Sequence, residues 1–158
     1  MRPEEEGVIT INVNVKRPLC EEIQHVIKNG LKLTNNGNIQ PQVRNGKIVL
    51  KLLDPYKRIK REVMGVNAKQ LIDLAKKNNS CLNIHHLGAI LDNQEKIPTG
   101  WRDFDVIFPT IVFMNDKGCK HAPLIRFGKG LGKWFLLFTY CCDIRISNHW
   151  RLLVANKQ

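Results

Sequence analysis

Residues Val8 to Val15 alternate between two sets, with Val8, Thr10, Asn12 and Asn14 on one side and Ile9, Ile11, Val13 and Val15 on the other. A period of two with β-branched apolar positions predicts a strand with one buried face. The pattern then lengthens. Pro18 can open a helix, Glu21 and Glu22 fall in its first turns, Ile23, Val26 and Ile27 form an apolar stripe, and Asn29-Gly30 can end it. Between Thr34 and Gly46 the composition shifts to Asn, Gly, Gln and Pro, with turn signals at Asn36-Gly37 and Asn45-Gly46. Ile39–Val43 can pair across the second turn with Lys47–Leu53, which Pro55 closes.

A second helix is predicted over 67–77. Asn67 and Gln70 have the spacing of a capping box, Leu71, Leu74 and Ala75 supply its apolar face, and Lys76 and Lys77 suit its C-terminal dipole. Cys81 to Leu91 satisfies neither the helical nor the strand period. The last third reads as strands at Val106–Met114, Leu124–Phe127, Trp134–Cys142, Ile144–Ile146 and Trp150–Val154. Turn signals at Asn115–Gly118, Gly128–Gly130 and Ser147-Asn148 separate them. The expectation is α+β: a single compact domain over 8–156, with two main helices and a predominantly antiparallel β-sheet, behind a flexible acidic leader over 1–7.

Composition adds a direction to this picture. The formal charge is +11, which draws anionic partners from a distance without choosing among RNA, DNA, acidic protein and anionic lipid. Gln42 to Arg61 holds seven basic residues against the single acid Asp54, and its densest part is Lys57-Arg58-Ile59-Lys60-Arg61. The longest mainly apolar runs are far short of the roughly 20 residues that cross a bilayer as a helix. With no hydrophobic segment behind Met1, the reading is an intracellular protein, cytoplasmic or nuclear.

Catalytic signatures are weak. Asp103 and Asp105 would share one face of a strand, and with Glu95 or Asp116 could hold Mg2+, but flanking acids also serve solubility and turn geometry. The adjacent His85 and His86 suit one buried and one solvent-facing ring better than a catalytic pair. The five cysteines, Cys20, Cys81, Cys119, Cys141 and Cys142, contain no CxxC and read mainly as buried free thiols. Cys119, His121, Cys142 and His149 have the donor types for zinc without a spacing that demands it. No cofactor or metal is expected, and the reading leans away from an enzyme.

Binding chemistry is better represented. Gly128-Lys129-Gly130-Leu131-Gly132-Lys133 lacks the Walker A spacing, yet its backbone can approach an anion and Lys129 and Lys133 supply charge. The plainer alternative is a hairpin loop. Trp134 begins an apolar run that suits the core, as does the neighbourhood of Trp150. Trp101 follows Pro98-Thr99-Gly100 and is the best candidate for an exposed aromatic, where Arg102 beside it would give a mixed stacking and electrostatic surface.

The candidate anion or nucleic-acid contacts are therefore Lys57, Arg58, Lys60, Arg61, Trp101, Arg102, Lys129 and Lys133. The leading expectation is a nucleic-acid-binding protein using phosphate contacts, with single strands favoured slightly over duplex. The alternative is a viral matrix-like or accessory structural protein that meets anionic membrane or an acidic protein. Exposed strand edges would also permit a homodimer.

Overall fold

The computed structural model describes residues 7–36, 46–55, 68–78, 82–140 and 149–155. Among them, eight strands and three helices occur in the order β1 (Val8–Val13), α1 (Glu21–Lys28), β2 (Lys32–Asn36), β3 (Gly46–Leu53), α2 (Ala68–Lys77), α3 (Ile84–Asp92), β4 (Asp105–Ile107), β5 (Ile111–Met114), β6 (Lys120–Gly128), β7 (Lys133–Tyr140) and β8 (Trp150–Ala155). Two 3-10 helices, Gln94–Lys96 and Thr99–Asp103, lead from α3 into β4. The expected α+β class with a mainly antiparallel sheet is what forms, with α3 as a third helix.

The sheet runs β1-β3-β8-β4-β6-β5-β2, and β7 pairs with β6. Among the described strands only the β4–β8 pair is parallel. Val106–Met114 is not one continuous strand. Pro109 lies in the interruption between β4 and β5, and both pieces pair with β6, through Val106↔Ile125 and Phe113↔His121. Their far edges carry different partners, β8 on β4 and β2 on β5, so the sheet forks there.

Alternation sorts the side chains between two cores. Ile9, Ile11, Val13, Leu50, Leu52, Val106, Ile125 and Leu153 join α1 and α3 in the larger one. Leu53, Ile107, Leu124, Leu152 and Val154 meet Leu71 and Leu74 of α2 in the smaller. Adjacent residues on one strand thus face opposite helices, as the period of two requires. The polar side of β1 is exposed while Ile9, Ile11 and Val13 are buried, as the alternation predicts.

Local signals explain the helix ends. Gly30 takes φ +103, with Gly30 N–H donating to Ile27 and Leu31 N–H to Val26, the paired bonds of a Schellman motif. Helix α3 starts where Asn83 Oδ1 accepts from the backbone N–H groups of His85 and His86, while Asn83 N–H donates to His86 Nδ1. It is buried on most sides, which is why its sequence shows no clean stripe. Strand β2 was hidden by its polar composition.

Arg151 on β8 is fully buried in the larger core's layer. Its guanidinium lies 4.2 Å over the Phe104 ring, donates to the Trp150 carbonyl and approaches Asp54 at 3.7 Å. The charge is held by a carboxylate, a carbonyl and a ring face together, which a buried cation needs. No described helix is long and apolar enough to cross a membrane.

Candidate anion-binding surface

Strands β6 and β7 pair without a break from His121↔Tyr140 to Gly128↔Lys133. The connection is a tight hairpin in which the N–H groups of Leu131 and Gly132 both donate to the Gly128 carbonyl, at 3.1 and 2.8 Å. Of the loop glycines, Gly132 takes the left-handed conformation, at φ +67. Gly128 is needed for a different reason: a Cβ there would stand 2.5 Å from Phe135 Cε2. Leu131 at the tip is 73% exposed.

Two candidate clusters meet beside this hairpin. The 3-10 helix Thr99–Asp103 packs near β6, and the Arg102 guanidinium sits 4.3 Å over the Phe127 ring. Lys129 reaches Asp103 at 3.3 Å. Across the ribbon, Lys133 Nζ lies 4.9 Å from the Phe135 ring. Strand pairing puts Phe127 and Trp134 on one face and Arg126 and Phe135 on the other. Arg102 and Lys133 therefore share one end of the sheet but flank opposite faces of the hairpin.

Two acids temper the charge. Arg126 donates through Nε to Asp105 Oδ1 at 2.9 Å and through Nη2 to Asp105 Oδ2 at 2.7 Å. These bonds raise the Arg126 pKa above its ordinary value, against a smaller opposing effect of burial. The Lys129–Asp103 pair is exposed on both sides and so is weak. Lys133 and Arg102 each lie over an aromatic ring. A ring face takes none of a cation's N–H donors, which leaves them for an incoming anion.

Trp101 corrects an expectation. It is 1% exposed rather than a surface aromatic, because the 3-10 turn directs it into the larger core. Gly7, at φ +122, passes beside Pro98 and the indole, where a Cβ would come within 3.0 Å of Pro98. The stacking role expected of Trp101 falls away and Arg102 remains. Lys57, Arg58, Lys60 and Arg61 lie outside the described residues. Sequence reading missed Arg126 and Phe135; the available signal was a lone cation, Arg126, directly after the uncharged run Ala122–Ile125, all four of which are buried.

The catalytic alternatives do not assemble among the described residues. Asp103 closes a 3-10 helix and Asp105 starts β4, so they do not share one strand, and each faces a cation. His86 is buried in the α3 cap while its neighbour His85 is half-exposed, with a pKa lowered by burial. Cys20 is buried beside a shallow open cleft lined also by Asn12, Asn14, Arg17, His85 and Asn93. Burial raises the Cys20 pKa; the Ile23 N–H works against this, and Asp92 and Glu22 reinforce it. A thiol held protonated is a poor nucleophile. Cys119 is exposed, against the expectation of mainly buried thiols, and Cys81, Cys141 and Cys142 lie outside the described residues. No group of three or more metal-ligating side chains occurs among the described residues.

Comparison with protein-family models, curated proteins and solved structures gave no match.

Proposed function

We propose that this is a non-enzymatic nucleic-acid-binding protein that contacts phosphates from a basic surface. The observation that carries the reading is the meeting of Arg102 with the Lys129–Lys133 loop at one end of the sheet, in a chain of net charge +11. The nearby ring faces of Phe127 and Phe135 are already covered by cations. The surface thus offers charge more readily than base stacking, which favours phosphate contact with little sequence preference. Lys57, Arg58, Lys60 and Arg61 belong to the same proposal as the densest run of charge.

Fluorescence anisotropy with labelled single-stranded and duplex oligonucleotides, over a salt series, tests it. Reversing the charge at Lys57, Arg58, Lys60 and Arg61 should weaken binding more than reversing Lys129 and Lys133. For single strands, the slope of log affinity against log salt should become shallower by about 0.7 for each phosphate that the variant no longer neutralises. Absence of binding at low salt, or identical slopes in folded variants, would reject the assignment.

One observation favours a second reading. Leu131 stands exposed at the tip between Lys129 and Lys133, an apolar point flanked by cations that suits an anionic membrane surface. Sedimentation with anionic but not neutral vesicles, reduced by Leu131→Ser, would favour that alternative.

A further inference from the structure

We propose that the outer edge of β7 is a self-recognition surface, on which a second copy of this chain adds its own β7 antiparallel. The polarity of the edge follows from one side chain. Gln94 Oε1 accepts from Trp134 N–H at 2.9 Å, and Gln94 Nε2 donates to the Trp134 carbonyl at 3.1 Å. The backbone groups of Trp134 therefore point away from β6. In an antiparallel ladder, alternate residues share that direction, so Leu136, Phe138 and Tyr140 also present N–H and C=O outward. Phe135, Leu137 and Thr139 bond inward to β6.

Gln94 imitates a neighbouring strand at one position only. Beyond it, β6 is the only described strand paired with β7. Among the described residues this stretch is left open and carries none of the devices written into a strand itself: residues 134–140 contain no charge and no proline, and the register with β6 shows no bulge.

The same plug selects the register. A two-fold axis at Leu137 would set Tyr140 of the second copy against Trp134, whose backbone Gln94 already occupies. Moving the axis to Phe138 opposes Leu136 with Tyr140 and Phe138 with its own copy. All three outward-pointing residues are then used, and about six hydrogen bonds form. Leu137 opposes Thr139 on the other face. Lys133 falls outside the paired stretch, so neither paired segment carries a charged side chain, despite the net charge of +11. These features favour a second copy over a charged peptide, and the isologous contact closes on itself.

Sedimentation equilibrium over a concentration series, together with amide exchange followed by NMR, tests the proposal on the full chain. The expected result is a reversible dimer in which exchange at Leu136 and Phe138 slows as dimer accumulates. Leu137 and Thr139, bonded to β6, should stay protected throughout. Tyr140→Pro removes an outward N–H and leaves the inward ladder unchanged, so it should shift the equilibrium to monomer with an unaltered circular dichroism spectrum. If that variant misfolds, the exchange pattern of the unmodified chain still decides. A monomer at every concentration overturns the proposal. So does a dimer in which Leu136 and Phe138 exchange freely, or protection of both in the monomer, which would mean the chain covers its own edge.

Discussion

The ring of Phe135 lies over the backbone of Gly128, two residues that flank the hairpin loop on facing strands, so closely that a methyl group on Gly128 would stand 2.5 Å from Cε2. The glycine is thus a seat for an aromatic ring, and that ring in turn lies under the Lys133 ammonium. Gly128→Ala should force the ring aside and cost about 1–3 kcal/mol, the range for an overpacked site. Gly130→Ala, with nothing within 4 Å, should be close to neutral. Thermal unfolding of both variants checks the contrast, and Phe135→Leu in the Gly128→Ala background should recover part of the loss.

Thiol reactivity should divide sharply between two described cysteines. Cys119 is exposed in the turn before β6, whereas Cys20 is buried and its thiol is pushed up by that burial. Brief alkylation of the native protein, followed by peptide mapping, should label Cys119 and spare Cys20. Denaturant should abolish the difference. Fast native labelling of Cys20 would contradict both its burial and its protonated state.

Acid should weaken the fold partly through His85. Burial lowers its pKa below the ordinary 6.5, so the folded state resists a proton that the unfolded chain accepts. Above 6.5 both states are neutral and stability is unaffected. As pH falls through 6.5 toward the lower folded value, the unfolded state binds more protons and stability declines. Melting temperatures across that window should fall less in His85→Gln than in the parent. An equal fall in the two proteins would remove His85 as a cause.

The start of α3 makes a separate prediction. Asn83 is buried and its Oδ1 serves two backbone donors. Asn83→Ala should cost about 1–2 kcal/mol, at the upper end for a cap because the donors it abandons lie inside the protein. Asn83→Ser keeps an acceptor in place and should recover much of the loss. Chemical denaturation of the two variants measures the difference directly.

These features were unequally legible in the sequence. The alternation from Val8 to Val13 marked β1 because one face of that strand is buried and the other meets solvent. Helix α3 left no comparable trace, since Ile84, Leu87, Ile90 and Leu91 are buried together with His86 and Gly88. Its true signal was Asn83, with His86 three residues later in place of the usual Glu or Gln. Pro109 announced the break between β4 and β5, but the apolar run around it read as continuous. At the candidate surface, Lys129 and Lys133 were visible as charge on a loop. Arg102 was legible as a charge too, but not as their neighbour: it is far away in sequence, and only the fold lays it on Phe127. Trp101 misled because the surrounding Pro and Gly describe a turn, and a turn does not fix which way its aromatic faces.

The place of β8 has a consequence for the order of events during synthesis. It lies between β3 and β4, yet it is the last of the eight described strands to leave the ribosome. Until residues 150–155 emerge, β3 has no described strand along its second edge, and the β1–β3 ribbon leans on α1 and α3 alone. The neighbouring assembly of β4, β5, β6 and β7 meanwhile lacks its partner along β4. Among the described strands the nascent chain therefore carries two open seams, one along β3 and one along β4, until β8 arrives. The interval before β8 arrives is when a holdase would matter most. Shortening the chain just ahead of Trp150 would leave it in that state permanently.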